Sequence, residues 1–223
     1  MSRWATFDVY GTLIDWNAGL RGVLERLFGA ADAAELLRRY HELEPQVQAE
    51  EGFHTYAEVL TLTLERLASE TGHGIPEGET GALPKSLPDW PPFPDVPEAL
   101  AELRRRGWNL ALLSNTDREL IVASERALGV PVDLAVVAED IQSYKPAHRH
   151  WERFFELTTA DKEHHVHVAA SRYHDIAPAR ELGLRSVWIN RGGEDASAHD
   201  AEADRELPDL SQLPDTLEEL VPA

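Results

Sequence analysis

The stretch WATFDVYGTLID, residues 4–15, decides the fold of this chain. Its first six residues form a short apolar run that predicts a buried strand, and Tyr10-Gly11-Thr12 predicts a tight turn directly after it. Asp8 therefore lies near the carboxyl end of the predicted strand. In open parallel sheets, ligands bind in the crevice beyond the carboxyl ends of the strands. Asp8 is accordingly the first candidate functional residue.

The second half of the chain alternates between strand and helix patterns. Apolar runs predict strands over residues 108–113, 134–137, 166–170 and 186–189. Apolar residues at helical spacing predict helices over residues 97–106, 117–128, 149–157 and 175–182. Asp117 is a candidate N-cap, and the acidic stretch 194–206 predicts a solvated loop before a short terminal helix. The alternation predicts an α/β fold: a Rossmann-like parallel sheet with helices on both faces.

Residues 16–91 interrupt this alternation with a helical insertion. Three apolar stripes at helical spacing occur in it, each with charged residues on the opposite face. Seven of the 14 prolines lie between Pro76 and Pro97, and proline continues neither a helix nor a central strand. We therefore predict a core domain of residues 1–15 and 92–223 and an α-helical cap domain of residues 16–91.

Composition limits the partners and the compartment. The chain has 223 residues, a formal net charge of −19 and no cysteine. Such a charge repels phosphate backbones and anionic membrane surfaces, so we expect neither nucleic acid nor a membrane as a partner. Without cysteine, neither a disulfide framework nor a thiolate zinc site can form. Because no secretory signal and no bilayer-length apolar run is visible, we expect a cytoplasmic protein.

Polar residues follow the predicted strands at the edge of the sheet where Asp8 lies. The second predicted strand ends at Ser114, the third is followed by Lys145, and the fourth by Asp175. Two carboxylates held close together repel each other, and a lysine between them keeps both ionised. An ionised carboxylate aimed at an electrophilic carbon or phosphorus can form an ester that water later cleaves. These residues favour covalent hydrolytic chemistry.

Four motifs resemble those of the haloacid dehalogenase superfamily. FDVYGTLID is similar to its first motif, LLSNT to its second, SYKP to its third, and HVAASRYHDIAPARELGLRSVWINR to its fourth. They occur in the expected order, and the insertion between the first two resembles the helical cap of that family. The resemblance implies a Rossmann-like core with a cap and identifies Asp8 as a covalent nucleophile.

Two positions resemble the L-2-haloacid dehalogenase branch most closely. Where the phosphatases of the superfamily have a second aspartate that protonates the leaving group, this chain has Tyr10. Where they have an acidic magnesium ligand, it has Ala170. A departing halide needs no proton, whereas an alkoxide leaving a phosphate monoester does. The resemblance implies dehalogenation of a small anionic 2-haloacid with no metal and no other cofactor, by a possible homodimer.

The resemblance also implies a role for each candidate residue. Asp8 would displace halide from the substrate α-carbon, and Asp175 would orient or activate the water that cleaves the ester. Thr12, Ser114 and Lys145 would position the carboxylates. The substrate-binding candidates are Tyr10, Arg39, Asn115, Ser171 and Arg172. Of these, Asn115 and Arg39 would receive the halide, with Arg38 as a rival to Arg39.

The chain also departs from the dehalogenase pattern. It has Ala170 in place of a serine, Arg172 in place of an asparagine, and Trp151 nearest to an expected tyrosine. Two alternatives therefore stay open: a phosphatase with a degraded magnesium site, and a catalytically silent binding protein. His165 and His167, on one face of the fourth predicted strand, lack an evident further metal ligand, so we interpret them as structural histidines.

Overall fold

A parallel sheet brings the predicted functional residues to one edge of the molecule. The computed structural model describes residues 2–195 and 201–222. Its strands are β1 Arg3–Phe7, β2 Trp108–Ser114, β3 Leu134–Val137, β4 His165–Ala169, β5 Arg185–Ile189 and β6 Arg205–Leu207. They lie in the order β3-β2-β1-β4-β5-β6, and every pair is parallel. Because β1 lies between β2 and β4, the residues that follow these three strands meet at their carboxyl ends.

Helices cover both faces of this sheet. They are α1 Trp16–Phe28, α2 Ala33–Gln48, α3 Tyr56–Thr71, α4 Ala82–Ser86, α5 Val96–Arg105, α6 Arg118–Leu128, α7 Ala138–Ile141, α8 Arg149–Leu157, α9 Ala177–Glu181 and α10 Leu213–Leu220. Along β2, Leu110 and Leu112 belong to the hydrophobic cluster that includes residues of α5, α6 and α10, whereas Ala111 and Leu113 pack with α8 and α9. The predicted α/β architecture is confirmed. In the described parts of the chain, no helix is long and apolar enough to cross a membrane.

Helices α1 to α4 form one insertion between β1 and β2. At its base, the Asp15 N–H donates to the Pro91 carbonyl at 2.9 Å, and the Phe93 N–H donates to the Leu13 carbonyl at 3.0 Å. An antiparallel bridge joins Ile14 to Pro92 between these bonds. The chain thus leaves the sheet and returns to it side by side. This arrangement agrees with a cap of residues 16–91, a boundary that stays a prediction.

Two segments differ from the pattern predicted from the sequence. Within the predicted acidic loop 194–206, of which residues 196–200 lie outside the described part, the structure has strand β6 paired with β5. Two of its three residues are exposed and only Leu207 is buried, so it shows no apolar run. The helix predicted over residues 175–182 begins within a π-helical turn, Arg172–Ile176, and continues as α9.

Asp117 joins the core to the insertion. The sequence predicts it as the N-cap of α6, but its side chain makes no cap hydrogen bond to that helix. Instead, its carboxylate accepts the N–H groups of Tyr56 at 2.6 Å and Ala57 at 2.8 Å, at the start of α3. The Thr55 hydroxyl accepts the next N–H, that of Glu58. The first N–H groups of α3, which lack intrahelical acceptors, are therefore satisfied partly from the core.

Replacing Asp117 with alanine is expected to lower the free energy of unfolding by about 1–3 kcal/mol, because the buried Tyr56 N–H loses its acceptor. Urea denaturation followed by circular dichroism measures this loss. Asp117→Asn keeps one acceptor oxygen and should give an intermediate value. Glu119→Ala, at an exposed position in the same turn of α6, should stay within about 0.5 kcal/mol of the unaltered protein. Equal losses for the Asp117→Ala and Glu119→Ala proteins would contradict the role given to Asp117.

Candidate active site

A pocket of about 390 Å³ lies between the carboxyl edge of the sheet and the inserted helices. Residues of the core form its floor, and residues of α1, α2 and α3 form the opposite wall. The floor consists of Asp8, Tyr10, Ser114, Asn115, Lys145, Ser171, His174 and Asp175. The wall consists of Trp16, Asn17, His41, Glu44, Pro45, Gln48 and Tyr56.

The turn after β1 fixes the Asp8 carboxylate. The backbone N–H of Asp8 donates to the Val168 carbonyl of β4 at 3.1 Å, so Asp8 extends the sheet by one residue. Gly11 then turns the chain at φ +89°, a conformation that L side chains rarely adopt. The turn brings the Thr12 hydroxyl to 2.6 Å from Asp8 Oδ2, to which it donates. Thr12 Oγ1 also accepts the Ala170 N–H at 2.8 Å, which ties this turn to the end of β4.

Lys145 lies between the two aspartates. Its Nζ donates to Asp8 Oδ1 at 2.8 Å, to Asp175 Oδ1 at 2.6 Å and to the Leu113 carbonyl at 2.8 Å, which engages all three of its protons. Burial alone lowers the pKa of a lysine, but the adjacent Asp175 and Asp8 outweigh burial here and raise the Lys145 pKa above its ordinary value. Lys145 is therefore a permanent cation.

Asn115 holds the backbone of this lysine. Its Oδ1 accepts the Lys145 N–H at 2.7 Å, and its Nδ2 donates to the Lys145 carbonyl at 3.1 Å. These two bonds resemble those of a strand pair and place the Lys145 side chain over the end of β2. The second Nδ2 proton of Asn115 is not used by either bond, and Asn115 lines the pocket.

Asp175 has one engaged and one open carboxylate oxygen. Oδ1 accepts hydrogen bonds from Lys145 Nζ and from His167 Nε2, the latter at 3.1 Å. Oδ2 is buried and accepts no hydrogen bond from the described residues. Burial raises the pKa of a carboxyl, but Lys145 and His167 outweigh it and hold the Asp175 pKa below its ordinary value. Asp175 is thus an ionised carboxylate rather than a simple helix cap.

Ser114 Oγ has the same property as Asp175 Oδ2: it is buried and lacks a hydrogen-bond partner in residues 2–195 and 201–222. Unsatisfied buried polar atoms are rare in native proteins and are found where ligands or catalytic waters bind. Both atoms belong to residues that line the pocket. They are the two buried side-chain oxygens of the floor that lack a hydrogen-bond partner in the described residues.

Tyr10 and Ser171 line the pocket, and their predicted role in substrate binding stays a prediction. The Tyr10 hydroxyl lies 3.1 Å from Ser124 Oγ, and its ring stacks on Tyr56 with centroids 5.8 Å apart. Burial raises the Tyr10 pKa to about 12, so its hydroxyl is neutral and the side chain lines the pocket without a charge. The Ser171 hydroxyl accepts the His174 N–H at 3.0 Å at the start of the π-helical turn.

Arg39 and its rival Arg38 lie outside the pocket lining. Arg39 makes ion pairs with Glu42 at 2.6 Å and Glu70 at 2.5 Å on the outer face of α2. Its rival Arg38 is also paired on that face, with Glu35 and Glu42. The prediction for Arg39 is corrected: nearby carboxylates hold its charge away from the site.

Arg172 requires the same correction. Its guanidinium donates to the Ala201 carbonyl at 2.5 Å and lies 4.7 Å from the centre of the Trp188 ring. It therefore packs against the segment after β5 rather than the pocket. Trp151 is fully buried in the hydrophobic cluster behind β2, so it does not substitute for a pocket tyrosine.

The sequence analysis missed the wall that α2 contributes. His41, Glu44 and Gln48 recur at spacings of three and four residues, beside the buried stripe of Tyr40, Leu43 and Val47. A polar stripe at helical spacing next to an apolar one was the available signal. Burial raises the pKa of the Glu44 carboxyl to about 7. His41 Nε2 lies 2.8 Å from Asn17 Oδ1.

The donor set around Asp8 does not fit a magnesium ion. Magnesium takes oxygen ligands in an octahedral array, commonly from one or two carboxylates. Both Asp8 oxygens are engaged, by Lys145 and Thr12, and Ala170 offers no side-chain oxygen. The described residues contain no group of three or more His, Cys, Asp or Glu side chains that could hold a metal ion.

Comparisons with known proteins identify the family. The family described as haloacid dehalogenase-like hydrolase matches residues 3–183. The (S)-2-haloacid dehalogenase 4A of Burkholderia cepacia is 28% identical over 216 residues, which cover 95% of this chain and 93% of that protein. The (S)-2-haloacid dehalogenase of Pseudomonas sp. (strain YL) is 29% identical over 192 residues, which cover 84% and 82%.

A solved structure supports the fold independently. The L-2-haloacid dehalogenase from Xanthobacter autotrophicus, with chloropropionic acid covalently bound, matches with a TM-score of 0.83 at 16% identity, covering 98% of this chain and 99% of that one. At this identity the likeness establishes the fold alone. Because the family match spans most of the sequence, from β1 to the end of α9, the chain belongs to the haloacid dehalogenase-like hydrolase family.

Proposed function

We propose that this protein is a metal-independent hydrolase that removes halide from small 2-haloacids through an ester on Asp8. The observation that carries the proposal is the arrangement of Asp8 itself. Its carboxylate faces the pocket, with Oδ1 bound to Lys145 and Oδ2 bound to Thr12. Both partners hold it in a fixed orientation, as a nucleophile requires. The dehalogenase activity named for the relatives supports the choice of leaving group.

The first step forms the ester. An Asp8 carboxylate oxygen attacks the α-carbon of the substrate, the carbon–halogen bond breaks, and its electron pair leaves with the halide. No proton is transferred, so the site needs no acid beside the leaving group. Tyr10, whose hydroxyl is neutral, occupies the position where the phosphatases carry such an acid. The aromatic side chains of Tyr10, Trp16 and Tyr56, which line the pocket, lower the exposure of the reacting atoms to water.

The second step cleaves the ester with water. Asp175 Oδ2, which has no hydrogen-bond partner in the described residues, takes a proton as the water oxygen attacks Cγ of Asp8. The bond between Cγ and the substrate oxygen then breaks, and the 2-hydroxyacid leaves with an oxygen that belonged to Asp8 and with the proton that Asp175 took from the water. The second proton of the water is released to solvent, which returns Asp8 to a carboxylate. Lys145 stabilises the negative charge that develops on the Asp8 carbonyl oxygen, because its Nζ already lies 2.8 Å from Asp8 Oδ1.

Neutral donors hold the substrate carboxylate in this proposal. Lys145 is the one lysine or arginine in the described pocket lining, and its three protons are engaged. The Ser114 hydroxyl, which lacks a partner in the described residues, and the unused Asn115 proton are neutral donors that can bind an anion. We further propose that residues 16–91 act as a cap that closes over the substrate, and that two chains pair through this cap.

The proposal is tested by a halide-release assay with 2-chloro-, 2-bromo- and 2-fluoroacids, run beside p-nitrophenyl phosphate. Halide release should be unchanged by EDTA, because no step uses a metal. Asp8→Asn should be folded and inactive, since the two side chains are nearly isosteric but the amide is a poor nucleophile. Phosphate release that requires magnesium would instead identify a phosphatase. Failure of the unaltered protein on both classes would favour the silent binding protein.

Replacing Lys145 with methionine should lower turnover by about 10²–10³-fold, since the charge beside the developing oxyanion is lost. The remaining turnover should rise with pH. Without the cation, Asp175 loses the largest of the influences that lower its pKa, so its pKa rises and this base ionises only as the pH increases through the raised value. Lys85→Met, at an exposed lysine, is the matched control and should have the turnover and pH profile of the unaltered protein. Equal profiles for the Lys145→Met and Lys85→Met proteins would make Lys145 peripheral.

A further inference from the structure

A chain of buried side chains runs from the interior of the sheet to Asp175. His165 and His167 of β4 are fully buried, and both contact the hydroxyl of Thr6, which pairs with His167 across the β1–β4 ladder. His165 Nε2 lies 2.8 Å from Thr6 Oγ1, and His167 Nδ1 lies 2.8 Å from the same atom. The other ring nitrogen of His167, Nε2, lies 3.1 Å from Asp175 Oδ1.

The protons available to these side chains fix which atom donates in each of their hydrogen bonds. Asp175 is ionised and can only accept, so His167 Nε2 must carry a proton and donate it. With a single proton on the His167 ring, Nδ1 has none and accepts the one proton of the Thr6 hydroxyl. The Thr6 oxygen, having donated, accepts from His165 Nε2. Every donor is satisfied when each of the two rings carries a single proton, on Nε2.

The surroundings of the two rings favour this state. Burial lowers the pKa of His165 to about 3, so its ring is neutral, and its Nδ1 has no hydrogen-bond partner in the described part of the chain. An Nδ1 without a proton leaves only a lone pair unmet, which costs less than an unmet N–H. The opposite direction would place a proton on that nitrogen. The edge of Trp151 lies against His167, with ring centroids 5.2 Å apart, and limits its rotation.

We infer that His167, oriented by Thr6 and His165, is a positioning residue for the hydrolytic half of the reaction. The inference rests on the proposed function of Asp8 and Asp175. His167 and Lys145 fix Asp175 Oδ1 from two sides, so the carboxylate cannot turn, and Oδ2 stays open for the water that cleaves the ester. Asp8 is held by Lys145 and Thr12 and makes no bond to His167. Ester formation should therefore not depend on His167.

The inference separates the two chemical steps in a variant. In the His167→Leu protein, the first halide should be released at the rate of the unaltered protein, and later turnovers should slow by roughly 10²-fold, the cost of misplacing a catalytic group by about 1 Å. Because kcat/KM reports ester formation, kcat and KM should fall together. Intact-mass spectrometry should find the Asp8 ester accumulating. His167→Gln keeps an N–H near the Nε2 position and should restore most of the turnover.

His164→Leu is the matched control, because His164 pairs with Asp161 and does not contact the buried chain. It should have the kinetics of the unaltered protein. Equal slowing of the first and later halide release in the His167→Leu protein would overturn the inference, as would a His167→Gln protein no faster than His167→Leu.

A second measurement needs neither a variant nor activity. Nitrogen-15 spectra of histidine-labelled protein should show both His165 and His167 with the proton on Nε2. A His167 ring without a proton on Nε2 would overturn the inference even if halide release is normal. Absence of halide release from the unaltered protein would instead count against the proposed function, while the tautomers would still test the hydrogen-bond chain.

Discussion

The structure depends on the ion triad formed by Lys145 with Asp8 and Asp175. Two carboxylates share one buried ammonium, with Nζ 2.8 Å from Asp8 and 2.6 Å from Asp175. Moving charged groups from water into the protein interior costs free energy. The ion pairs offset that cost here because each member of the triad has a partner at contact distance. The same contact holds the pKa of Asp175 below its ordinary value and orients the Asp8 carboxylate, so one arrangement serves the fold and the proposed chemistry. Around it, Thr12, Asn115 and His167 hold the three members in place.

The sheet topology explains why the triad forms. Asp8 follows the central strand, Ser114 ends one neighbour, and the segment with Asp175 follows the other. These placements could be predicted because buried parallel strands are apolar runs and their ends are marked by turn residues. Lys145 was predictable for the same reason, since it follows the strand next in order. The fold and the floor of the pocket were thus accessible from local patterns.

The wall of the pocket was not accessible in this way. Arg39 was chosen from a resemblance in a helix, but whether a residue faces the pocket or solvent depends on how the helix packs, and Glu42 and Glu70 hold Arg39 outside. His41 and Glu44 face inward instead. Asp117 was assigned to its own helix because a cap signal is local, whereas its acceptors serve α3, some 60 residues earlier in the chain. Long-range partners of this kind leave no local trace in the sequence.

The central claim is that Asp8 forms a covalent ester, and the direct measurement is the fate of oxygen in a single turnover. With enzyme in excess over a haloacid in water enriched in oxygen-18, water attacks Cγ of Asp8, so the label should enter the Asp8 side chain and be absent from the hydroxyacid. Mass spectrometry measures the oxygen-18 content of the peptide that contains Asp8 and of the hydroxyacid product. A labelled product beside an unlabelled Asp8 would show direct attack of water on the substrate and would contradict the account.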